Sequence, residues 1–146
     1  GNYTARTFPY SMRQGPSERN ALGLVKFMFP NKYNIYLHDT PSKSLFRRES
    51  RAFSHGCIRL NDPFDFAYAL LAKQESNPEA LFQSRLKTGA ESRVTLEEPV
   101  PVHIVYRTAF TNVTGALQFR RDVYGRDAAI WNALSQTGVA VRAVQG

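Results

Sequence analysis

Ser54-His55-Gly56-Cys57-Ile58-Arg59 holds the one cysteine of the 146-residue chain, with a histidine two positions before it and a glycine between. A thiolate is the strongest nucleophile among protein side chains, but a free thiol near neutral pH is mostly protonated. A neighbouring imidazole or cation makes the thiolate available. Gly56 carries no Cβ, so the backbone there can turn tightly and a carbonyl can approach the amides of Gly56 and Cys57. Such amides stabilise a developing oxyanion. Arg59 adds a fixed positive charge. Ser54 is a further polar group beside the histidine. The competing reading is that Cys57 is a small buried hydrophobe, as lone cysteines usually are. The polar and basic flanks count against that.

A second histidine, His38, is separated from Ser54 by fifteen intervening residues and ends an apolar run. Residues 33–38 read as a strand. Period-two alternation puts Tyr33, Ile35 and Leu37 on one face and Asn34, Tyr36 and His38 on the other. If His38 meets the cysteine, Tyr36 lines the same wall and offers its hydroxyl to an oxyanion. A base needs its second ring nitrogen held by an acceptor. The Asp39 side chain points to the wrong face for this, so a backbone carbonyl just after His38 is the expected holder. Asp39-Thr40-Pro41 itself reads as an Asx-type turn ending the strand.

His38, the spacing, and Ser54-His55-Gly56-Cys57 followed by a hydrophobic residue together resemble the signature of the YkuD-type L,D-transpeptidases. The flanks Phe27-Met28-Phe29-Pro30-Asn31, Ile35-Tyr36-Leu37-His38-Asp39-Thr40-Pro41 and Arg51-Ala52-Phe53 look like the YcbB-like branch. So does Pro99-Val100-Pro101-Val102-His103-Ile104-Val105-Tyr106. The resemblance runs from about residue 22 to 127. It implies a peptidoglycan cross-linking enzyme in which Cys57 is the nucleophile, His38 the base and His55 a second histidine beside the site. Gly56, Tyr36, Ser54 and Arg59 then surround the reacting carbonyl. Where this chain has Arg59, the family pattern often has Asn, a difference expected to alter substrate contacts and not chemistry. The family's domain opens with several strands before the segment matching Leu22. Residues 1–20 show few apolar alternations, so those strands are expected to be missing from this chain and residues 1–20 to form a loop or linker.

The implied fold is α+β: a β-rich core with helices after the cysteine, in one catalytic domain over residues 1–146. The implied partners are peptidoglycan stem peptides and carbapenem-type β-lactams, in the periplasm or at the cell wall. Water as acceptor would give an L,D-carboxypeptidase, and relatives cut cross-links or attach lipoproteins. An inactive wall-binding fragment is the reading from another class. No metal or organic cofactor is implied, since one cysteine and three scattered histidines give no ligand spacing.

Composition bounds the rest. Hydrophobic residues make up 42% and charged residues 21%, an ordinary globular balance that argues against disorder. Net charge is +7, with Lys and Arg scattered and one short cluster at Arg47, Arg48 and Arg51. No nucleic-acid motif accompanies it, so a solvated basic surface or carboxylate-bearing stem peptides suit it better than nucleic acid. No apolar run reaches 18 residues, so no membrane span is expected.

The elements that must position the site follow from punctuation. Residues 25–29 alternate as a strand ended by Pro30-Asn31. Residues 42–53 form a basic loop, anchored by Phe46 and Phe53, that returns Cys57 to His38. Asp62-Pro63 opens a helix with the apolar stripe Phe64, Ala67, Tyr68, Leu70, Leu71. Asn77-Pro78 opens a second, stopped at Gly89. Further strands are expected at 93–96, at 102–110 and at 116–121, the last two joined by a turn at 112–115. A short strand is expected near 7–12, and a last helix over 127–136.

Overall fold

The computed structural model describes residues 3, 4 and 6–138. The fold is α+β, and it divides into two compact units, Gly1–Pro101 and Val102–Gly146.

In the first unit a three-stranded sheet carries the site. Strand β1 is Lys26–Phe27, β2 is Leu37–His38 and β3 is Ile58–Arg59. Their order is β1-β2-β3, with β1 antiparallel to β2 and β2 parallel to β3. The parallel pair needs a crossover, and residues 39–57 supply it, including a 3-10 turn at Lys43–Arg47. Strands β1 and β2 are shorter than the alternation predicts. The chain between them is bent at Asn34, whose φ is +54°. Its geometry is set by Asn31, whose Oδ1 accepts from the amides of Tyr33 and Ile35, each at 3.0 Å.

Helix α1 spans Pro63–Leu71 and α2 spans Pro78–Lys87, as the capping residues predict. Asn77 Oδ1 accepts from the Ala80 amide at 3.0 Å, satisfying one of the free donors of the first turn. Asp62 precedes α1 but makes no such bond; its Oδ2 accepts from Asn61 Nδ2 instead. The helices meet through Phe82, whose ring lies 5.0 Å from Phe64 and 5.6 Å from Tyr68. Phe66 reaches β1, with its ring 4.9 Å from that of Phe27. The buried apolar residues of this unit, among the described residues, are Pro63, Ala67 and Leu71, all on α1.

Two strand expectations fail here for one reason, the lack of a pairing strand. The segment near residues 7–12 is exposed and irregular. Residues 93–96 form no strand, although Gln74 satisfies part of that backbone by accepting from the Glu97 amide and donating to the Thr95 carbonyl. β-prone residues without a neighbouring edge do not make a ladder.

In the second unit β4, Ala109–Thr111, pairs antiparallel with β5, Leu117–Phe119. The turn at Asn112 is closed by its Oδ1, which accepts from the amides of Thr114 and Ala116. The expected strand over 102–110 is confined to its last residues, since Val102, Ile104 and Val105 remain exposed and unpaired. Helix α3 is Arg126–Gln136. Asp122 caps it from outside, accepting from the amides of Arg126 and Asp127, and also receives the Tyr106 hydroxyl at 2.7 Å.

Candidate active site

The parallel β2–β3 pair is what brings the chemistry together. Its register sets Leu37 beside Ile58 and His38 beside Arg59. The Ile58 amide donates to the Tyr36 carbonyl, so Tyr36 lies one step back along the ladder, beside Cys57. Paired residues in a parallel ladder share a face. Tyr36, His38, Cys57 and Arg59 therefore stand on one face of two strands. The alternation over 33–38 predicts the Tyr36–His38 half of this; their rings are 6.0 Å apart and steeply inclined.

Cys57 is half-buried and free. Its polar neighbours are the Asn34 carbonyl, 3.9 Å from Sγ, and the Tyr36 hydroxyl. Burial raises the Tyr36 hydroxyl above its ordinary value, and Cys57, by charge and by hydrogen bond, raises it further. A hydroxyl held protonated beside a sulfur is a donor to a thiolate, or to an oxyanion formed next to it. Among the described residues, His38 makes no hydrogen bond to the thiol. It stands across the Tyr36 ring.

His38 is buried, 4% exposed, and its Nδ1 bonds to the Asp39 carbonyl. A carbonyl can only accept, so Nδ1 carries the proton and Nε2 keeps the lone pair. That is the tautomer a general base needs. The expected backbone holder is thus the one observed.

The Asp39 side chain differs from its reading as an Asx turn. It reaches back to the residues that lead into β1, where Oδ2 accepts from the Leu24 amide at 3.0 Å, and Oδ1 lies 2.8 Å from Lys43 Nζ as an ion pair. Burial pushes this carboxyl up, but Lys43 and the amides of Leu24 and Thr40 outweigh burial and hold it below the usual carboxylate range. The turn itself is made by Thr40, whose Oγ1 accepts from the Ser42 amide.

Gly56 is not in the left-handed region. Its lack of a side chain matters because a Cβ there would sit 3.3 Å from Ile35 Cγ1. Close approach, and not a turn, is the reason for glycine. Ser54 and His55 are exposed on the loop before the cysteine. Arg59 is half-buried; Nη2 reaches the Phe53 carbonyl at 3.4 Å, while Nε is buried with no partner among the described residues. Phe46 is half-buried under Lys43, but Phe53 is 47% exposed and anchors nothing with its ring, contrary to expectation. Arg47, Arg48 and Arg51 face solvent. His103 lies exposed in the second unit. Among the described residues no cluster of three His, Cys, Asp or Glu could hold a metal ion. No helix there is long and apolar enough to cross a membrane.

A family model for the YkuD L,D-transpeptidase catalytic domain matches residues 1–102. The chain belongs to that family. The match takes in the whole site face and ends near the boundary between the two units. A Haemophilus influenzae protein named "Putative L,D-transpeptidase" is 36% identical over 127 residues, covering 84% of this chain. The chain spans 24% of that relative's length.

Sequence reasoning gave no site role to three residues that the structure places around the thiol and the base strand. Asn34 offers its carbonyl to the thiol, and Asn31 shapes the turn that puts it there. Asn31 directly follows Pro30 and reads from sequence only as the end of a strand; its hold on the following turn is weak chemistry to read unaided. Lys43 was hidden in a run of basic residues that otherwise face solvent.

Proposed function

We propose that the chain carries out cysteine-dependent L,D-acyl transfer on peptidoglycan stem peptides, forming 3-3 cross-links through a thioester. The observation that carries this reading is the shared face of Tyr36, His38, Cys57 and Arg59, with His38 in the tautomer that leaves Nε2 free. Residues 1–146 act in it as one catalytic domain, with the chemistry in Gly1–Pro101. The setting is the periplasm or the cell wall.

Nε2 of His38 takes the proton from Cys57. The sulfur attacks the carbonyl at the L-centre of the third stem residue. The C–S bond forms and the carbonyl electron pair moves to oxygen. Amides of Gly56 and Cys57, with the Tyr36 hydroxyl, receive that oxyanion. Each such donor is worth roughly 3–4 kcal/mol where measured. Collapse expels the terminal D-amino acid, whose nitrogen takes the proton from His38. An amine of a neighbouring stem then attacks the thioester and gives its proton to His38, the C–N bond forms as the C–S bond breaks, and Cys57 leaves as thiolate. His55 and Ser54, exposed beside Cys57, orient the stem, and Arg59 adds positive charge to the wall where stem carboxylates bind.

That no hydrogen bond joins His38 to the thiol among the described residues is compatible with His38 as the base. Catalytic hydrogen bonds often tighten only with substrate present.

Intact mass after incubation with a carbapenem tests the reading, with Cys57→Ala as control. One adduct, lost in the control, is expected. No adduct, while iodoacetamide still alkylates Cys57, would mean an exposed thiol without an assembled site. Product analysis on tetrapeptide stems then names the acceptor, since a cross-linked dimer supports transfer and a free tripeptide indicates hydrolysis.

A further inference from the structure

Lys43 has no part in the reaction steps above, yet among the described residues its ammonium joins three separate parts of the first unit. Its Nζ lies 2.8 Å from Asp39 Oδ1, and donates to the carbonyls of Leu60 at 3.0 Å and Asn61 at 2.6 Å. Two of its N–H groups meet backbone carbonyls, and the Asp39 carboxylate beside it supplies the opposite charge. Asp39 directly follows β2, which ends in His38. Leu60 and Asn61 directly follow β3, which the cysteine precedes. One ammonium therefore ties together the ends of the base strand and the nucleophile strand.

Asp39 is held through its amide, its carbonyl and one carboxylate oxygen, while the other oxygen, Oδ1, is buried beside the Lys43 ammonium with no aligned hydrogen bond among the described residues. Its amide donates to the Val25 carbonyl at 2.9 Å, its carbonyl holds His38 Nδ1, and its carboxylate takes the Leu24 amide and Lys43. The residue is 7% exposed. The residue whose carbonyl orients the imidazole is thus held by Leu24 and Val25, just before β1, and by Lys43 of the crossover, which is itself tied to the end of β3.

We propose that Asp39 and Lys43 are positioning residues for acyl transfer, holding the Asp39 carbonyl so that His38 directs Nε2 toward the cysteine side of the sheet. The proposal rests on the reading of Cys57 and His38 given above. An imidazole held by one carbonyl pivots with that peptide, and a displacement of about 1 Å at a catalytic group can cost on the order of a hundredfold in rate. A purely structural ion pair would show its loss in stability alone, because such pairs contribute little else.

The test compares Asp39→Asn, Lys43→Met and Lys43→Arg in the full chain. Asp39→Asn is nearly isosteric and keeps an acceptor for the Leu24 amide while removing the charge that Lys43 meets. Turnover of a peptidoglycan tetrapeptide gives kcat and KM. Proton NMR gives the His38 Nδ1–H resonance, assigned by its absence in His38→Ala. The expected result is a fall in kcat of about tenfold or more in Asp39→Asn and Lys43→Met, with KM changed less than about twofold, and loss of the sharp His38 resonance. Lys43→Arg keeps a cation in place and is expected to recover most of both. If Asp39→Asn keeps the resonance and a kcat within about twofold of the parent, the positioning role is wrong, whatever its melting temperature does. Should Lys43→Met not fold, Asp39→Asn still decides. Turnover surviving in Cys57→Ala or His38→Ala would instead sink the underlying reading, and the positioning role with it.

Discussion

Gly23 packs directly against the carboxylate of Asp39. A Cβ on Gly23 would overlap that carboxylate, and the backbone there is left-handed, with φ at +65°. Two separate constraints therefore select glycine at the entry to β1. Gly23→Ala would have to adopt a conformation that costs an L-residue roughly 1–2 kcal/mol. It would also push Asp39 off the Leu24 amide. A combined loss of more than about 2 kcal/mol is expected, read as a lower denaturant midpoint. An unchanged midpoint would show that the Asp39 carboxylate can move aside freely, which would also weaken the positioning role argued above.

The Asp39 carboxylate gives the first unit a specific acid sensitivity. Its folded-state pKa lies below its unfolded value, because Lys43 and two amides outweigh burial. Such a group contributes stability that is present above the unfolded value, near pH 4, and lost as pH falls through the lower folded value. Asp39→Asn should then cost about 1–3 kcal/mol near neutral pH. The gap between parent and variant should close as the pH drops below about 4. Chemical denaturation at pH 7 and pH 3 makes the comparison. A gap of equal size at both values would assign the loss to packing and not to charge.

Tyr36→Phe removes the hydroxyl beside Cys57 and little else. If that hydroxyl meets the oxyanion, acylation by a carbapenem should slow on the order of tenfold to a hundredfold, at the lower end of what an oxyanion donor is worth because the amides of Gly56 and Cys57 remain. Folding should be nearly untouched, since the ring keeps its edge contact with His38. Stopped-flow or mass-detected acylation rates decide this. A rate within about twofold of the parent would restrict Tyr36 to packing.

What the sequence made legible was local. The Asn77-Pro78 cap and Gly89 stop bounded α2 because capping is settled within a few residues. Alternation placed Tyr36 and His38 together because strand geometry has a fixed period. The backbone holder of His38 was legible because Asp39 and its own carbonyl point to different sides. Lys43 was not legible, because its acceptors at Leu60 and Asn61 lie seventeen and eighteen residues on, and only the parallel pairing brings them near. Residues 93–96 and 102–108 were misread for a related reason. Their composition is β-prone, but a strand exists only where another strand pairs with it, and composition does not name the partner.

Asn34 offers a separate handle on the thiol. Its φ of +54° is tolerated by asparagine better than by most residues, and its carbonyl, not its side chain, faces Cys57. Asn34→Gly keeps both the conformation and the carbonyl, so stability and thiol reactivity should stay near those of the parent. Asn34→Ala keeps the carbonyl but strains the backbone by about 1 kcal/mol. The bend can relax by flattening toward an extended strand, which would turn the carbonyl away from Sγ. The thiol would then lose its acceptor, and its iodoacetamide reactivity should change in Asn34→Ala but not in Asn34→Gly. Parallel measurements of melting temperature and alkylation rate separate the two effects. If both variants alkylate like the parent while only Asn34→Ala melts early, the bend serves folding and the carbonyl has no hold on the cysteine.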